Sequence, residues 1–260
     1  MSGFRPRFFA PNSAAAPPGA GSVLTLDVED SHHALRVLRL RPGDECEIVV
    51  GAAVYAATVV GGDRAVRVEL RERLEGAAAG AGYRFLVGIV QAIARSSALD
   101  WSIEKSTEAG AGLIMLVQAA GSPRSSGKDP AGRLARWARI AREAAKQSKQ
   151  PAVPEVELCP SLAAALDRLR SLELFSVLLD PGAEHALYDL VRSRDEASGD
   201  QGQRSGVALW VGPEGGWTDE ERESLLEAGM ATARLGRGVL RTETAGPVAV
   251  AVTRLALGDW

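Results

Sequence analysis

The chain has 260 residues, of which 30 are Lys or Arg and 33 are Asp or Glu, so its formal net charge is -3. This length accommodates one large domain or two smaller ones with a substantial buried core. The net negative charge excludes the global cationic field of a generic DNA-coating protein, so any nucleic acid must be bound by a local patch. The apolar runs are shorter than the roughly 20 residues of a membrane span, and no signal-like N-terminus is present. We therefore expect a cytoplasmic protein without membrane contact.

The cysteine and histidine spacings give no sign of a metal site. Cys46 and Cys159 lie far apart and belong to no C-x-x-C pair. His32 and His33 have no thiol at ligand spacing. We therefore expect two small buried thiols, no disulfide and no metal.

The first part of the chain, to about residue 70, has the apolar and polar alternation of short strands. Strands are predicted at residues 23–26, 47–50, 54–60 and 66–70, and a short helix at residues 31–40. This pattern predicts a small β-barrel. A run of small residues at 75–82 reads as a linker, so we place the domain boundary near residue 78, between domains 1–77 and 78–260.

Beyond the linker, strands and helices alternate. Strands are predicted at residues 85–90, 113–117, 174–179, 207–211 and 230–235. Helices are predicted at 97–109 and 130–148, from residues 161 and 184, and in the final apolar segment, 248–257. Such alternation predicts an α/β fold with a mostly parallel sheet and helices on its faces.

Two glycine-rich loops follow the last two predicted strands, at residues 211–216 (VGPEGG) and 235–244 (LGRGVLRTET). In open α/β sheets, ligands lie beyond the carboxyl ends of the strands, where glycine lets the backbone approach them. The spacing matches neither the dinucleotide fingerprint nor the P-loop. A plain strand-to-helix turn is the alternative, because Thr218 and Glu221 can form a capping box. We favour a shared ligand pocket, since two adjacent glycines and a proline exceed what a turn requires.

The second loop ends in Arg-Thr-Glu-Thr, residues 241–244, which include side chains capable of catalysis. Thr242 or Thr244 could cap the following helix. That explanation does not cover Arg241 and Glu243. A guanidinium and a carboxylate at a pocket mouth suit charge stabilisation and proton transfer.

The segment 124–149 contains eight basic residues and two acidic ones, a local charge of about +6. Asp129 is predicted to cap a helix that begins at Pro130. Its apolar face predicts core packing, and its basic face is either a solvated surface or a stripe that contacts RNA phosphates. His33, Arg36 and Arg39 share one face of the earlier predicted helix, at spacings i, i+3 and i+6, and could also contact phosphate.

Five segments together carry a resemblance to a known family: residues 33–39 (HALRVLR), 105–110 (KSTEAG), 143–148 (EAAKQS), 211–216 and 235–244. The chain resembles the bacterial 16S ribosomal RNA uridine N3-methyltransferases of the SPOUT class over nearly its whole length. The resemblance implies a PUA-like barrel that binds RNA and a SPOUT domain whose parallel sheet is threaded into a trefoil knot. It also implies the cofactor S-adenosyl-L-methionine, a homodimer, and 16S ribosomal RNA of the small ribosomal subunit as substrate.

The resemblance further implies roles for individual residues. Glu243 would take the proton from uridine N3, and Arg241 would face the developing charge. The implied cofactor-binding residues are Leu179, Asp180, Pro181, Gly212, Pro213, Glu214, Gly215, Gly216, Leu235, Gly236, Val239, Leu240, Thr242 and Thr244. The implied RNA-binding residues are Arg5, Arg7, His33, Arg36, Arg39, Arg124, Arg139, Arg142, Lys146 and Lys149.

Some positions depart from the family pattern. Pro123 and Gln150 stand where glutamate and arginine are common, and residues 237–238 read Arg-Gly where Pro-Arg is usual. Pro247 follows Gly246 where small helix formers are usual, and it is tolerated if it falls in the first helical turn. We expect these changes to affect RNA affinity more than the fold.

Two other functions fit the same motifs. The first is 2′-O-ribose methylation of ribosomal or transfer RNA, which many SPOUT proteins perform and which needs no imide deprotonation. The second is a non-catalytic ribosome-assembly factor that keeps the barrel and the basic helix. The intact motifs at 212–216 and 241–244 argue against such loss of activity.

Overall fold

The computed structural model describes residues 5–10, 19–51, 53–62, 64–74, 83–123, 129–198 and 206–260. The chain forms two compact units. The first comprises Met1–Gly82 and Ala145–Ala152, and the second comprises Tyr83–Ala144 and Val153–Trp260. The proposed boundary near residue 78 and the linker at 75–82 lie outside the described residues.

The first unit contains a five-stranded sheet. Its strands are β1 (Arg7–Phe9), β2 (Val23–Thr25), β3 (Glu45–Val50), β4 (Ala53–Gly61) and β5 (Arg67–Arg73). Their order across the sheet is β1-β3-β4-β5-β2, with β1 parallel to β3 and the other pairs antiparallel. Phe8, Ile48 and Leu70 are almost completely buried in its core. Strand β1 was not predicted, because three residues are too few to show an alternation.

The helix of the first unit begins earlier than the sequence predicts. Helix α1 (Val28–His32) continues as one π-helical turn over His33–Val37. It begins at Asp27, whose Oδ1 accepts a hydrogen bond of 2.7 Å from the Asp30 N–H. The helical run ends at Leu38, and Arg39 has a φ of 56°. The prediction that Arg39 shares a helix face with His33 and Arg36 is therefore wrong.

Residues 145–152 belong to the first unit and contribute cations to it. The Lys146 ammonium pairs with the Asp30 carboxylate, and both side chains are buried. Arg7 pairs with Glu47 at 3.0 Å and is also buried. Lys149 Nζ lies 3.0 Å from the other oxygen of Glu47. Because a charge taken out of water must be paired, these contacts are part of how the unit folds.

The second unit contains a six-stranded sheet in which every neighbouring pair is parallel. Its strands are β6 (Val87–Ala92), β7 (Leu113–Val117), β8 (Glu155–Cys159), β9 (Phe175–Leu179), β10 (Val207–Val211) and β11 (Ala231–Ala233). Their order is β11-β9-β10-β6-β7-β8. The predicted α/β class with a parallel sheet is confirmed. The trefoil knot stays a prediction of the resemblance.

Helices cover both faces of this sheet. They are α2 (Ser96–Glu108), α3 (Pro130–Gln147), α4 (Leu162–Ser171), α5 (Leu187–Ser198), α6 (Asp219–Glu227) and α7 (Thr242–Ala256). Adjacent residues of a strand point to opposite faces, so Ile89 and Leu209 join one apolar cluster while Val90 and Trp210 join the other. The first cluster includes side chains of α2, α3, α5 and α7, and the second includes side chains of α4 and α6.

Several helix starts are as the sequence predicts. Asp129 Oδ1 accepts a hydrogen bond of 2.7 Å from the Gly132 N–H at the start of α3. Thr218 and Glu221 form the predicted capping box of α6. These side chains satisfy backbone N–H groups that the first helical turn leaves without partners.

The start of α7 differs from the prediction. The helix begins at Thr242, with Arg241 in the capping position and without a side-chain cap. Thr242 and Thr244 lie inside the helix, so the prediction that one of them caps it is wrong. Pro247 is an interior residue rather than part of the first turn. Because proline has no N–H, the Glu243 carbonyl lacks the usual helical donor four residues on.

The two thiols are free and buried, as predicted. Burial raises the pKa of Cys46 to about 12 and that of Cys159 to about 11, because the charged thiolate is poorly solvated there. Within the described part of the chain, no helix is both long and apolar enough to cross a membrane. The same residues contain no group of three or more metal-ligating side chains.

Candidate functional site

One cavity of about 900 Å³ opens at the carboxyl ends of β9 and β10 in the second unit. Four segments line it: the start of α2, the end of β9 with the residues after it, the stretch from the end of β10 into α6, and the stretch from the end of β11 to the start of α7. Its volume is in the range of small-molecule sites, roughly 300–1,000 Å³. Strands β11, β9 and β10 are neighbours in the sheet, and their carboxyl ends lie at the same edge. The two glycine-rich loops, which follow β10 and β11, therefore meet at one cavity.

Most of the proposed site residues lie on the wall of this cavity. Those on the wall are Leu179, Asp180, Pro181, Gly212, Pro213, Glu214, Gly216, Leu235, Gly236, Val239, Leu240, Arg241, Thr242 and Glu243. Gly215 and Thr244 are not among the lining residues. Their neighbours on either side are, so both positions lie next to the wall rather than on it.

Glycines leave open space along the two loops. A Cβ built on Gly215, Gly216, Gly236 or Gly238 would meet no atom within 4 Å. Gly216 also has a φ of +78°, which side chains rarely tolerate. Gly212 is different, since a Cβ there would lie 3.1 Å from Trp217 Nε1. The loops therefore present backbone groups to a ligand without side chains in the way.

Hydrogen bonds hold one acidic side chain of the wall, that of Asp180, in place. Asp180 Oδ2 accepts hydrogen bonds from Arg222 Nε and Nη2, at 3.1 and 2.9 Å. Asp180 Oδ1 accepts a third, of 2.8 Å, from the Gly182 N–H. Its carboxylate is about one-fifth exposed and retains lone pairs for a ligand hydroxyl or N–H.

Arg241 and Glu243 lie together at the mouth of the cavity. Arg241 Nη1 is 4.0 Å from Glu243 Oε1. The Glu243 side chain is 24% exposed and the Arg241 side chain is 87% exposed. A partly buried carboxylate on the wall can accept a proton from a bound molecule, and the guanidinium beside it can stabilise negative charge.

A chain of buried hydrogen bonds lies behind this wall. Thr242 Oγ1 donates to the Gly212 carbonyl at 2.6 Å, which joins the two glycine-rich loops. Gln91 Nε2, on β6, donates to Thr242 Oγ1 at 2.9 Å. Ser102 Oγ, on α2, donates to Gln91 Oε1 at 3.0 Å. Neither Gln91 nor Ser102 belongs to a motif that the sequence predicts to be functional.

Other lining residues were also missed. They are Arg95, Ser97, Ala98, Leu178, Trp217, Arg222 and Ala245. Arg95, Ser97 and Ala98 come from the start of α2, which follows β6. These residues reach the cavity because β6 lies next to β10 in the sheet. The order of strands in a sheet cannot be predicted from a single sequence. The basic side chain of Arg95 after a predicted strand was the available signal.

The proposed RNA-binding residues are in several environments. Arg36, Arg39 and Arg139 are exposed, and Arg5 is paired with Glu45 at 2.7 Å on the surface. His33, Arg142 and Lys149 are partly buried. Arg7 and Lys146 are buried in their ion pairs and offer almost no surface to a phosphate. Arg124 lies outside the described residues.

Lys105 makes only local contacts. Its Nζ lies 2.8 Å from carboxylate oxygens of both Glu104 and Glu108. Hydrogen bonds to Glu104 and then Glu108 raise the pKa of Lys105. Such contacts between neighbouring side chains of one helix stabilise that helix, and none of the three residues lines the cavity.

Comparisons with known proteins agree with this architecture. The RNA methyltransferase domain family matches residues 83–254, and the RNA methyltransferase PUA domain family matches residues 26–70. The ribosomal RNA small subunit methyltransferase E of Mycobacterium bovis is 31% identical over 247 residues, covering 94% of this chain and 90% of that protein. The protein of the same name from Bacillus subtilis is 29% identical over 182 residues, covering 66% and 68%.

Two solved structures are similar over almost the whole chain. One is a ribosomal RNA small subunit methyltransferase E from Neisseria gonorrhoeae bound to S-adenosyl methionine, with a TM-score of 0.78 and 25% identity. The other is a putative methyltransferase from Legionella pneumophila in complex with the same cofactor, also with a TM-score of 0.78 and 25% identity. Each alignment covers 97% of this chain and 98% of the other.

Proposed function

Because this chain belongs to the ribosomal RNA small subunit methyltransferase E family, we propose that it methylates N3 of a uridine in 16S ribosomal RNA with S-adenosyl-L-methionine as methyl donor. The observation that carries the proposal is the single cavity whose wall contains both glycine-rich loops together with Arg241 and Glu243. The match to a PUA domain supports an RNA substrate.

The cavity suits the methyl donor in size and in surface. Open glycines at Gly216 and Gly236 leave backbone groups accessible, and leucines such as Leu179 and Leu240 supply apolar wall. Asp180 supplies a fixed acceptor. When bound, S-adenosyl-L-methionine supplies an electrophilic methyl group on a sulfonium.

The residues at the mouth then act on the uridine. The N3–H is a weakly acidic imide whose proton must leave for nitrogen to attack a methyl group. Glu243 takes that proton, directly or through a water molecule, and Arg241 stabilises the negative charge that develops on the ring oxygens. A positioned base contributes typically about 10²- to 10⁴-fold in rate.

Binding of the RNA itself falls to exposed cations. In the first unit these are Arg36 and Arg39, and in the second unit Arg139 on α3. Contacts of arginine with phosphates fix the position of an RNA and make its binding weaken as salt rises. An enzyme acting on bacterial ribosomal RNA works in the cytoplasm, which is where we place this protein.

We also propose that the protein is a homodimer, as the resemblance implies. Large apolar side chains near the end of the chain are exposed in one copy: Leu255 is 58% exposed and Trp260 is 72% exposed. Covering such surface favours association. Sedimentation equilibrium at micromolar concentration is expected to give the mass of two chains. A mass of one chain at all concentrations would contradict the dimer.

The proposed reaction is tested by incubating small ribosomal subunits that lack the modification with the protein and labelled S-adenosyl-L-methionine. We expect label in a single nucleotide, identified by mass spectrometry of nuclease digests as N3-methyluridine. Label on the ribose would show 2′-O-methylation instead. Absence of cofactor binding in calorimetry, with RNA binding retained, would favour a non-catalytic assembly factor.

A further inference from the structure

We propose that Gln91 is a positioning residue that holds the two glycine-rich loops together through the hydroxyl of Thr242. Gln91 lies on β6, behind the cavity wall, and is 1% exposed. It does not line the cavity. This inference rests on the proposed function, because it concerns the affinity of that cavity for S-adenosyl-L-methionine.

The direction of each hydrogen bond follows from the acceptors present. A carbonyl oxygen only accepts, so the 2.6 Å contact between Thr242 Oγ1 and Gly212 O uses the proton of the threonine hydroxyl. The Thr242 oxygen must then accept from Gln91. The same nitrogen of Gln91 lies 3.2 Å from the Ala92 carbonyl, a second group that can only accept. Both contacts require the NH₂ of the carboxamide at that place.

Ser102 fixes the other end of the carboxamide. Its hydroxyl donates to Gln91 Oε1 at 3.0 Å, and Ser102 is 1% exposed. The carboxamide is therefore held between a donor on α2 and an acceptor on α7. Reversal of the amide would bring its oxygen to two acceptors, the Thr242 hydroxyl oxygen and the Ala92 carbonyl.

The close packing of α7 keeps this arrangement in place. Gly246, one turn after Thr242, faces the same group of side chains. A Cβ there would lie 3.2 Å from Ser102 Oγ and 3.3 Å from Gln91 Oε1. Glycine thus permits α7 to approach β6 closely enough for Thr242 to reach both Gln91 and Gly212.

The function of this chain of hydrogen bonds is to set the start of α7 against the loop after β10. Gly212 belongs to one glycine-rich loop, and Thr242 lies between Arg241 and Glu243 in the other. If Gln91 cannot donate, the Thr242 hydroxyl loses its fixed orientation. The Gly212 carbonyl then loses a reliable donor. The hydrogen bond that fixes the position of one loop relative to the other is weakened. The cofactor site is expected to weaken although no residue touching it has changed.

The test is a double-mutant cycle on the affinity for S-adenosyl-L-methionine, measured by titration calorimetry without RNA. Gln91→Met and Thr242→Val are each expected to weaken binding about tenfold, because each leaves a buried polar group without its partner. The double variant is expected to have an affinity within about twofold of that of the weaker-binding single variant, since both changes break the same chain of hydrogen bonds. Thr242→Ser keeps the hydroxyl and is expected to retain affinity.

The chain offers matched controls. Thr253 lies on α7 and Ser106 on α2, both are fully buried, and within the described residues neither hydroxyl has a hydrogen-bond partner. Thr253→Val therefore makes the same chemical change as Thr242→Val, but outside the chain of hydrogen bonds, and Ser106→Ala removes a buried hydroxyl of α2 that takes no part in it. Both are expected to bind the cofactor within about twofold of the unchanged protein.

The pH dependence of cofactor affinity shows whether Gln91 acts as a hydrogen-bond donor or only fills space. In Gln91→Glu the side chain keeps its shape, but only the protonated carboxyl can donate to Thr242. The affinity of this variant relative to the unchanged protein is expected to fall as pH rises and the carboxyl ionises. A role in packing alone gives a ratio that does not change with pH, provided that thermal unfolding shows both proteins folded across the range.

The outcomes distinguish this inference from the proposed function. If the unchanged protein does not bind S-adenosyl-L-methionine, the proposed function fails. If it binds and Gln91→Met binds equally well, or if the two single effects multiply in the double variant, only the role of Gln91 is overturned. If Gln91→Met does not fold, the comparison of Thr242→Val with Thr242→Ser and the pH profile of Gln91→Glu decide.

Discussion

Glu243→Gln is expected to lower the rate of methyl transfer by about 10²- to 10⁴-fold, because the variant cannot take the uridine N3 proton. Glu243 lies on the cavity wall and is only 24% exposed, with Arg241 at 4.0 Å as its charged neighbour. Glutamine keeps the shape of the side chain, so cofactor affinity is expected to stay within about threefold. Single-turnover methylation with saturating cofactor and RNA measures the chemical step directly.

A control variant removes a carboxylate from elsewhere in the same unit. Glu223, on α6, is exposed and does not line the cavity. Glu223→Gln is expected to transfer methyl groups at the rate of the unchanged protein. Near-normal turnover of Glu243→Gln with bound substrate would show that another group takes the proton.

Lys146→Met is expected to lower the free energy of unfolding by about 3–5 kcal/mol, since it removes the ammonium group that pairs with a buried carboxylate. The Asp30 side chain is 0% exposed and the Lys146 side chain 6% exposed. Replacement of both residues, as Asp30→Asn with Lys146→Met, is expected to restore much of that loss. Urea unfolding followed by far-ultraviolet circular dichroism measures both variants.

Arg139, an exposed arginine of α3, serves as the control for the buried Lys146. Arg139→Met is expected to change stability by less than about 0.5 kcal/mol. It is expected to weaken RNA binding, with a smaller dependence on salt. Folded Lys146→Met is expected to keep its RNA affinity. Loss of RNA affinity with unchanged stability in Lys146→Met would instead place that lysine on the RNA.

The sequence predicts the α/β sheet well where the local pattern is strong. Short apolar runs bounded by turn residues indicate β7 and β10, which are buried on both faces. Strand β8 carries Glu155 and Glu157 at the edge of the sheet, so its pattern lacks a continuous apolar run. Glycine loops after two strands predict the cavity because carboxyl ends of parallel strands share one edge.

Contacts between residues that are far apart in the sequence cannot be predicted from such local patterns. A helical wheel places Lys146 on a basic face but cannot show Asp30, which is 116 positions away in sequence. The order of strands, which brings the start of α2 to the cavity and Gln91 behind its wall, is likewise a property of the folded sheet. The end of the first helix depends on a π-helical turn, so the position of Arg39 could not be read from a 3.6-residue period.

The assignment of residues 145–152 to the first unit has a consequence for the synthesis of the protein. A nascent chain that stops at residue 82 lacks the lysines that pair with Asp30 and Glu47. The first unit can therefore be completed only after the ribosome has made all of α3 and the residues that follow it, up to Ala152. A fragment truncated at residue 82 is accordingly a poor substitute for the intact unit, and a fragment starting there carries lysines whose acidic partners have been removed.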